Sequence, residues 1–168
     1  MKRNLCIALV GMMYTGFLCG EAHDPAEGFW LSVDAKTGEI QSGWELYQSE
    51  RVLYGKMLSA IGITESNKAL KCRDHYRNFP VPGRVTQLPI LGTPWIFGLQ
   101  QESHGTWVDG KVINPGDGRI YTCKIVYHPG DGKKYKTECL EIRGEIGLGI
   151  GASQYWQRTT SEQAGALR

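Results

Sequence analysis

The sequence predicts an all-β fold in which about eight antiparallel strands close into a barrel, and three observations carry that expectation. First, between His104 and Arg143 two similar turn phrases, Asn114-Pro115-Gly116-Asp117-Gly118 and His128-Pro129-Gly130-Asp131-Gly132, punctuate three runs rich in Tyr, Val, Ile, Thr and Trp. Runs of that kind bounded by Pro-Gly and Asp-Gly pairs are a β-meander signal. Second, 22 glycines and 7 prolines stand beside 8 tyrosines and 5 tryptophans, a mixture that favours short strands and tight turns over long helices. Third, the remaining runs bring the total to about eight, enough to hide both sheet edges and to leave space for side chains or one small ligand.

Taken in order, a polar lead from Glu21 to Glu27 is followed by Gly28 to Val33 as the first strand and Asp34 to Gly38 as its turn. Glu39 to Tyr47 alternates, with Ile40, Ser42, Trp44 and Leu46 on one face and Glu39, Gln41 and Glu45 on the other, as a half-buried strand requires. In Arg51 to Ser59, Leu53 and Met57 share one face while Val52, Tyr54 and Lys56 share the other, and Gly55 marks a bulge or close bend. Residues 60 to 84 break the rhythm. Their polar centre, Glu65 to Asn78, has room for a short helix ended by Phe79-Pro80-Val81-Pro82-Gly83, and the excursion reads as a lid, a binding loop or a surface insertion. Leu88 to Leu99 is strongly apolar but carries Pro89 and Pro94, which suit an edge or a strand start. The meander follows, then a glycine-rich segment around Ile146, Leu148 and Ile150, a final run from Ser153 to Arg158, and a polar tail over 161 to 168.

At 168 residues, with 41% hydrophobic and 21% charged side chains, the chain has room for one domain, assigned to residues 23 to 160. Its 19 basic and 17 acidic residues are scattered without a block, so no nucleic-acid footprint is visible.

Residues 1 to 22 read as a secretory signal peptide. Met1-Lys2-Arg3-Asn4 is basic, Leu5 to Leu18 is almost wholly apolar, and Cys19-Gly20-Glu21-Ala22 supplies small residues near a cleavage point. The apolar run is short for a membrane span and no other long one follows, so the mature chain is expected in the periplasm or secreted, without a transmembrane segment. Cys19 offers a second route, as the lipid-anchored first residue of an outer-membrane lipoprotein, although Gly16 and Leu18 depart from the usual lipoprotein signal.

Export places Cys72, Cys123 and Cys139 in an oxidising compartment and makes them disulfide candidates. Pairing Tyr127 with Tyr135 sets Cys123 opposite Cys139, whereas the shorter turn from Pro129 to Gly132 needs a bulge to bring them together; Cys72 is the competing partner. No two cysteines have close metal-ligand spacing, so no metal site is expected.

The ordered set Gly28-Phe29-Trp30, Leu53-Tyr54-Gly55-Lys56, Leu91-Gly92, Phe97-Gly98-Leu99, Trp107 to Pro115, Gly118 to Tyr121, Ile142-Arg143-Gly144 and Tyr155-Trp156-Gln157-Arg158 resembles the exported bacterial family called DUF2147. The resemblance spans roughly Gly28 to Arg158 and implies a lipocalin-like, calycin-type barrel. Such barrels open on a Gly-x-Trp strand whose indole plugs the floor beneath an arginine of the last strand. Trp30 matches the tryptophan; Arg158 is the leading match for the arginine and Arg143 the runner-up. A guanidinium can stack on an indole while donating to nearby carbonyls, which makes this a structural closure and not a catalytic pair. The 60 to 84 excursion is longer and more cysteine-bearing than the family core needs.

The fold analogy favours binding of a small hydrophobic or amphipathic molecule in a cavity lined by Trp44, Tyr54, Trp95, Phe97, Trp107 and Tyr121. Two alternatives stand beside it. The same aromatics can fill a narrow core, leaving an envelope scaffold or protein-interaction module. His75 or His104, joined by Asp74 or Cys72, can supply a small enzyme site, although the other carboxylates fall mostly in turns and no catalytic spacing is readable. No cofactor is expected, because neither Gly116-Asp117-Gly118 nor Gly147 to Gly151 carries the Lys and Ser/Thr of a phosphate loop.

Overall fold

Among the described residues eight strands form, each an extended run: β1 Gly28–Val33, β2 Ile40–Ser49, β3 Val52–Ala60, β4 Pro94–Ser103, β5 Thr106–Ile113, β6 Ile120–His128, β7 Cys139–Gly147 and β8 Ile150–Thr159. The computed structural model describes residues 23–34, 36–147 and 149–167; the expected signal peptide and Cys19 lie outside the described residues. Every strand pairs antiparallel with its sequence neighbours, and β1 pairs with β8 through Phe29, Trp30 and Leu31 opposite Thr159, Arg158 and Gln157, so the sheet closes into a barrel with no free edge. Pro94 is accordingly the first residue of a strand, where its missing N–H costs no ladder bond.

Two-residue alternation turns one set of side chains inward. Trp30, Trp44, Leu46, Leu53, Ile96, Leu99, Trp107, Ile125, Leu140 and Trp156 are all nearly or fully buried. The ladder shifts on both sides of Gly55, where a Cβ would stand 2.5 Å from Leu46 Cδ2 and 3.0 Å from Ile96 Cβ. Only glycine lets the wall bend there.

The excursion forms no α-helix over 65 to 78, contrary to the sequence expectation. Asn67 Oδ1 accepts from the Thr64 N–H at 2.7 Å, while Ala69 N donates to Leu88 O and Ile90 N donates to Asn67 O. These bonds commit the backbone to turns and to pairing with the returning segment. A single 3-10 turn covers Val85–Gln87. The polar tail contains a short helix, α1, Ser161–Gly165, capped by Thr160; Ala164 is fully buried, and its carbonyl accepts from Ser59 Oγ at 2.5 Å.

The β6–β7 connection corrects the cysteine expectation. Asp131 accepts from the N–H groups of Lys133 and Tyr135, and Tyr135 stacks on His128 with ring centres 4.2 Å apart. Residues 129 to 138 are therefore consumed by the loop, and the register pairs Cys123 with Gly144 and Cys139 with His128. Cys72, Cys123 and Cys139 are all free thiols. No described helix is long and apolar enough to cross a membrane.

Candidate functional site

The two ends of the barrel differ. At one end the lead segment 23 to 27 folds across the opening. Asp24, 3% exposed, accepts from the N–H groups of Ala26 and Gly105, from Gln101 Nε2 and from Trp107 Nε1, all at 2.8 to 3.0 Å. Burial works against its charged form, but the hydrogen bonds from Trp107, Gly105, Ala26 and Gln101 outweigh that and hold the carboxyl below its ordinary range. Trp30 Nε1 donates to Ala26 O at 3.0 Å, and the Arg158 guanidinium covers the Trp30 ring at 3.9 Å. It is Arg158 that takes this place; Arg143 instead pairs with Glu145 at 2.6 Å. With its polar groups partnered and its indoles stacked or bonded, this end is a plug.

The other end holds a cavity of about 520 Å³ inside the barrel, near the turns that follow β1, β5 and β7. That volume falls within the roughly 300–1,000 Å³ typical of small-molecule sites. Its deep wall is the pair Trp44 and Trp156, stacked with ring centres 5.1 Å apart. Met57, Ile96 and Ile142 add apolar surface, while Ile146 and Ile150 form an exposed apolar rim. The polar contribution is small and specific. Ser42 Oγ accepts from Trp44 Nε1 at 2.7 Å and lies 2.5 Å from Ser32 Oγ, and Gln154 Oε1 accepts from Trp156 Nε1 at 3.2 Å.

Of the six aromatics expected to line a cavity, Trp44 and Tyr121 do so. Trp107 points inward but belongs to the plug, where its indole N–H is held by Asp24. The other three face outward, which corrects their assignment to the cavity wall. Tyr54 stacks on Tyr47 across the outer surface of β2 and β3, with ring centres 5.7 Å apart. Trp95 and Phe97 are buried from outside: Phe79 of the excursion packs 5.8 Å from the first and 5.3 Å from the second, and Trp95 Nε1 donates to Ile90 O. Residues 61 to 93 are thus a patch on the outer face of β4, and none of them lines the cavity.

Sequence reasoning missed Trp156, Met57, Ile142 and Gln154 as lining residues. The signal was present, because the period of two that turns Arg158 inward also turns Trp156 and Gln154 inward. His75 is exposed in the excursion, and His104, 72% exposed, lies 3.6 Å from Asp24 outside the plug. Neither reaches the cavity, and Asp24 is already engaged by four donors. Among the described residues no group of three or more His, Cys, Asp or Glu side chains is arranged to hold a metal.

Comparison with known proteins agrees with this architecture. Residues 28–158 match the family described as "Uncharacterized protein conserved in bacteria (DUF2147)". The fold is similar to that of a solved Helicobacter pylori structure, described as protein HP1028, which belongs to the lipocalin family; the TM-score is 0.63 at 15% identity, covering 84% of this chain and 87% of that one. Among curated proteins no relative matches.

Proposed function

The chain belongs to the DUF2147 family, and from that premise we propose that it is an exported, lipocalin-like carrier that binds a small hydrophobic or amphipathic molecule in the bacterial envelope. The observation that carries this reading is the cavity of about 520 Å³ set above a plugged floor, with the Trp44–Trp156 stack as its back wall and Ile146 and Ile150 at its mouth. A one-ended apolar chamber can take the hydrophobic body of a ligand while a polar end stays near water. A filled-barrel scaffold has no use for such a space, and an enzyme using His75 or His104 would have its groups elsewhere on the molecule. The basic and apolar character of residues 1 to 22 supports export, with a lipid on Cys19 as the alternative route to the envelope.

The test is to purify the processed protein from its native cell envelope and analyse it by native mass spectrometry. A stoichiometric small molecule released on denaturation, and lost when Ala152 in the cavity wall is replaced by Trp, supports the carrier reading. A protein recovered empty, with no uptake of hydrophobic probes, rejects it. Fractionation and the mass of the N-terminal peptide test export and lipidation separately.

A further inference from the structure

Resting on the carrier reading, we infer that the ligand of this cavity carries no anionic group and presents a hydrogen-bond-accepting oxygen to the Ser32–Ser42 pair, with its apolar body against Trp44 and Trp156. The first argument is charge. None of the described residues that line the cavity is charged. Arg143 and Glu145 alternate with the lining residues Ile142 and Gly144, so they stand on the outer wall, where they pair with each other. The charged group bonded to a lining side chain is Asp34, whose carboxylate accepts from Gln41 Nε2 at 3.2 Å and would repel an anion. A carboxylate or phosphate inside the chamber would give up water without finding a cation, which is unfavourable in a low-dielectric site.

The second argument is a proton count. The Trp44 indole N–H is donated to Ser42 Oγ, and the two hydroxyl oxygens share one further hydrogen between them. Whichever serine donates, one of the two hydroxyl hydrogens is left without an acceptor among the side-chain bonds. Both serines are buried, Ser32 5% and Ser42 7% exposed, and both line the cavity. A buried donor is expensive to leave unmade, so this pair selects for an acceptor on the ligand. The Gln154 amide gives its oxygen to Trp156, and its N–H groups, which bond to no acceptor among the described residues, can add a second donor nearer the mouth.

The experiment compares two nearly isosteric probes, 2-acetylnaphthalene and 2-naphthoate, by calorimetry on the purified protein at pH 7.5. The neutral ketone is expected to bind at least ~10-fold more tightly, a gap of about 1.4 kcal/mol. Gln154→Lys, which places a cation on the wall, should narrow or reverse the gap, and Ala152→Trp should abolish binding of both. The infrared C=O stretch of the bound ketone should fall below its value in cyclohexane. Equal or tighter binding of naphthoate overturns the charge argument while leaving the carrier reading intact. An unshifted C=O stretch overturns the serine assignment. Failure of both probes to bind, or binding that survives Ala152→Trp, rejects the carrier reading and this inference with it.

Discussion

Arg158 lies face-on to Trp30, 3.9 Å from the ring centre, while its Nη1 and Nη2 donate to the carbonyls of Glu27 and Pro25 at 2.6 and 2.5 Å. One side chain thus joins the last strand, the first strand and the lead segment. Arg158→Ala removes the stacking and leaves two carbonyls without their donors, with an expected loss of about 2–4 kcal/mol. Arg158→Lys keeps the charge but not the planar fork, so it should fall between. Urea unfolding followed by tryptophan fluorescence checks the order.

Asp24 should make the protein acid-sensitive. Its folded carboxyl is depressed below the unfolded value of 3.8, because its hydrogen bonds outweigh its burial. The stability it contributes is therefore present above that value and disappears as pH falls through the lower folded value. Asp24→Asn should cost about 1–3 kcal/mol at pH 7 and flatten the decline that sets in as pH falls below the unfolded value. Parallel urea titrations of the two proteins across that decline measure it. A slope unchanged by the substitution assigns the acid sensitivity to other carboxylates.

Gly43→Ala should dislodge α1. The position faces the Ala164 carbonyl so closely that a Cβ has no place without moving the backbone of the helix. The variant is expected to lose the Ser59–Ala164 hydrogen bond and roughly 1–3 kcal/mol. Hydrogen exchange over residues 160 to 167 should rise sharply while the barrel strands keep their protection.

The thiols should react in the order of their exposure. Cys139 is half-buried, Cys72 is buried within the excursion, and Cys123 is fully buried inside the barrel, where desolvation pushes its thiol up to about 12. Peptide mapping after alkylation at pH 8 should find Cys139 modified first and Cys123 modified only on unfolding, with no disulfide joining any two of the three. A peptide crosslinking Cys123 to Cys139 contradicts the register of β6 and β7.

The strands were legible in the sequence because strand character is local. The alternation in Glu39 to Tyr47, the Asp-Gly turns and the bend at Gly55 each depend on a few neighbouring residues. The contact between Trp30 and Arg158 was legible through family resemblance, since 127 intervening residues hide it from any local pattern. The candidate site was legible only in part. Trp44 was found from its alternating strand, while Trp156 went unnoticed beside the more conspicuous arginine of the same face.

By itself, then, the sequence determined the strand segments, most of their turns and which side chains share a face, because φ/ψ preference and the two-residue period operate over a few residues. Tertiary structure alone decided which of two buried faces is the inside of the barrel. Trp95 and Phe97 look as apolar as Trp44, but the excursion covers them from without, and burial by a loop leaves the same mark on a sequence as burial in a core. It also decided that Cys123 meets Gly144 and not Cys139, because the loop held by Asp131 takes up ten residues and leaves Tyr135 inside it, unpaired with Tyr127. Register depends on how much chain a loop consumes, and that is settled by contacts such as Tyr135 on His128 that form only when the strands are already side by side.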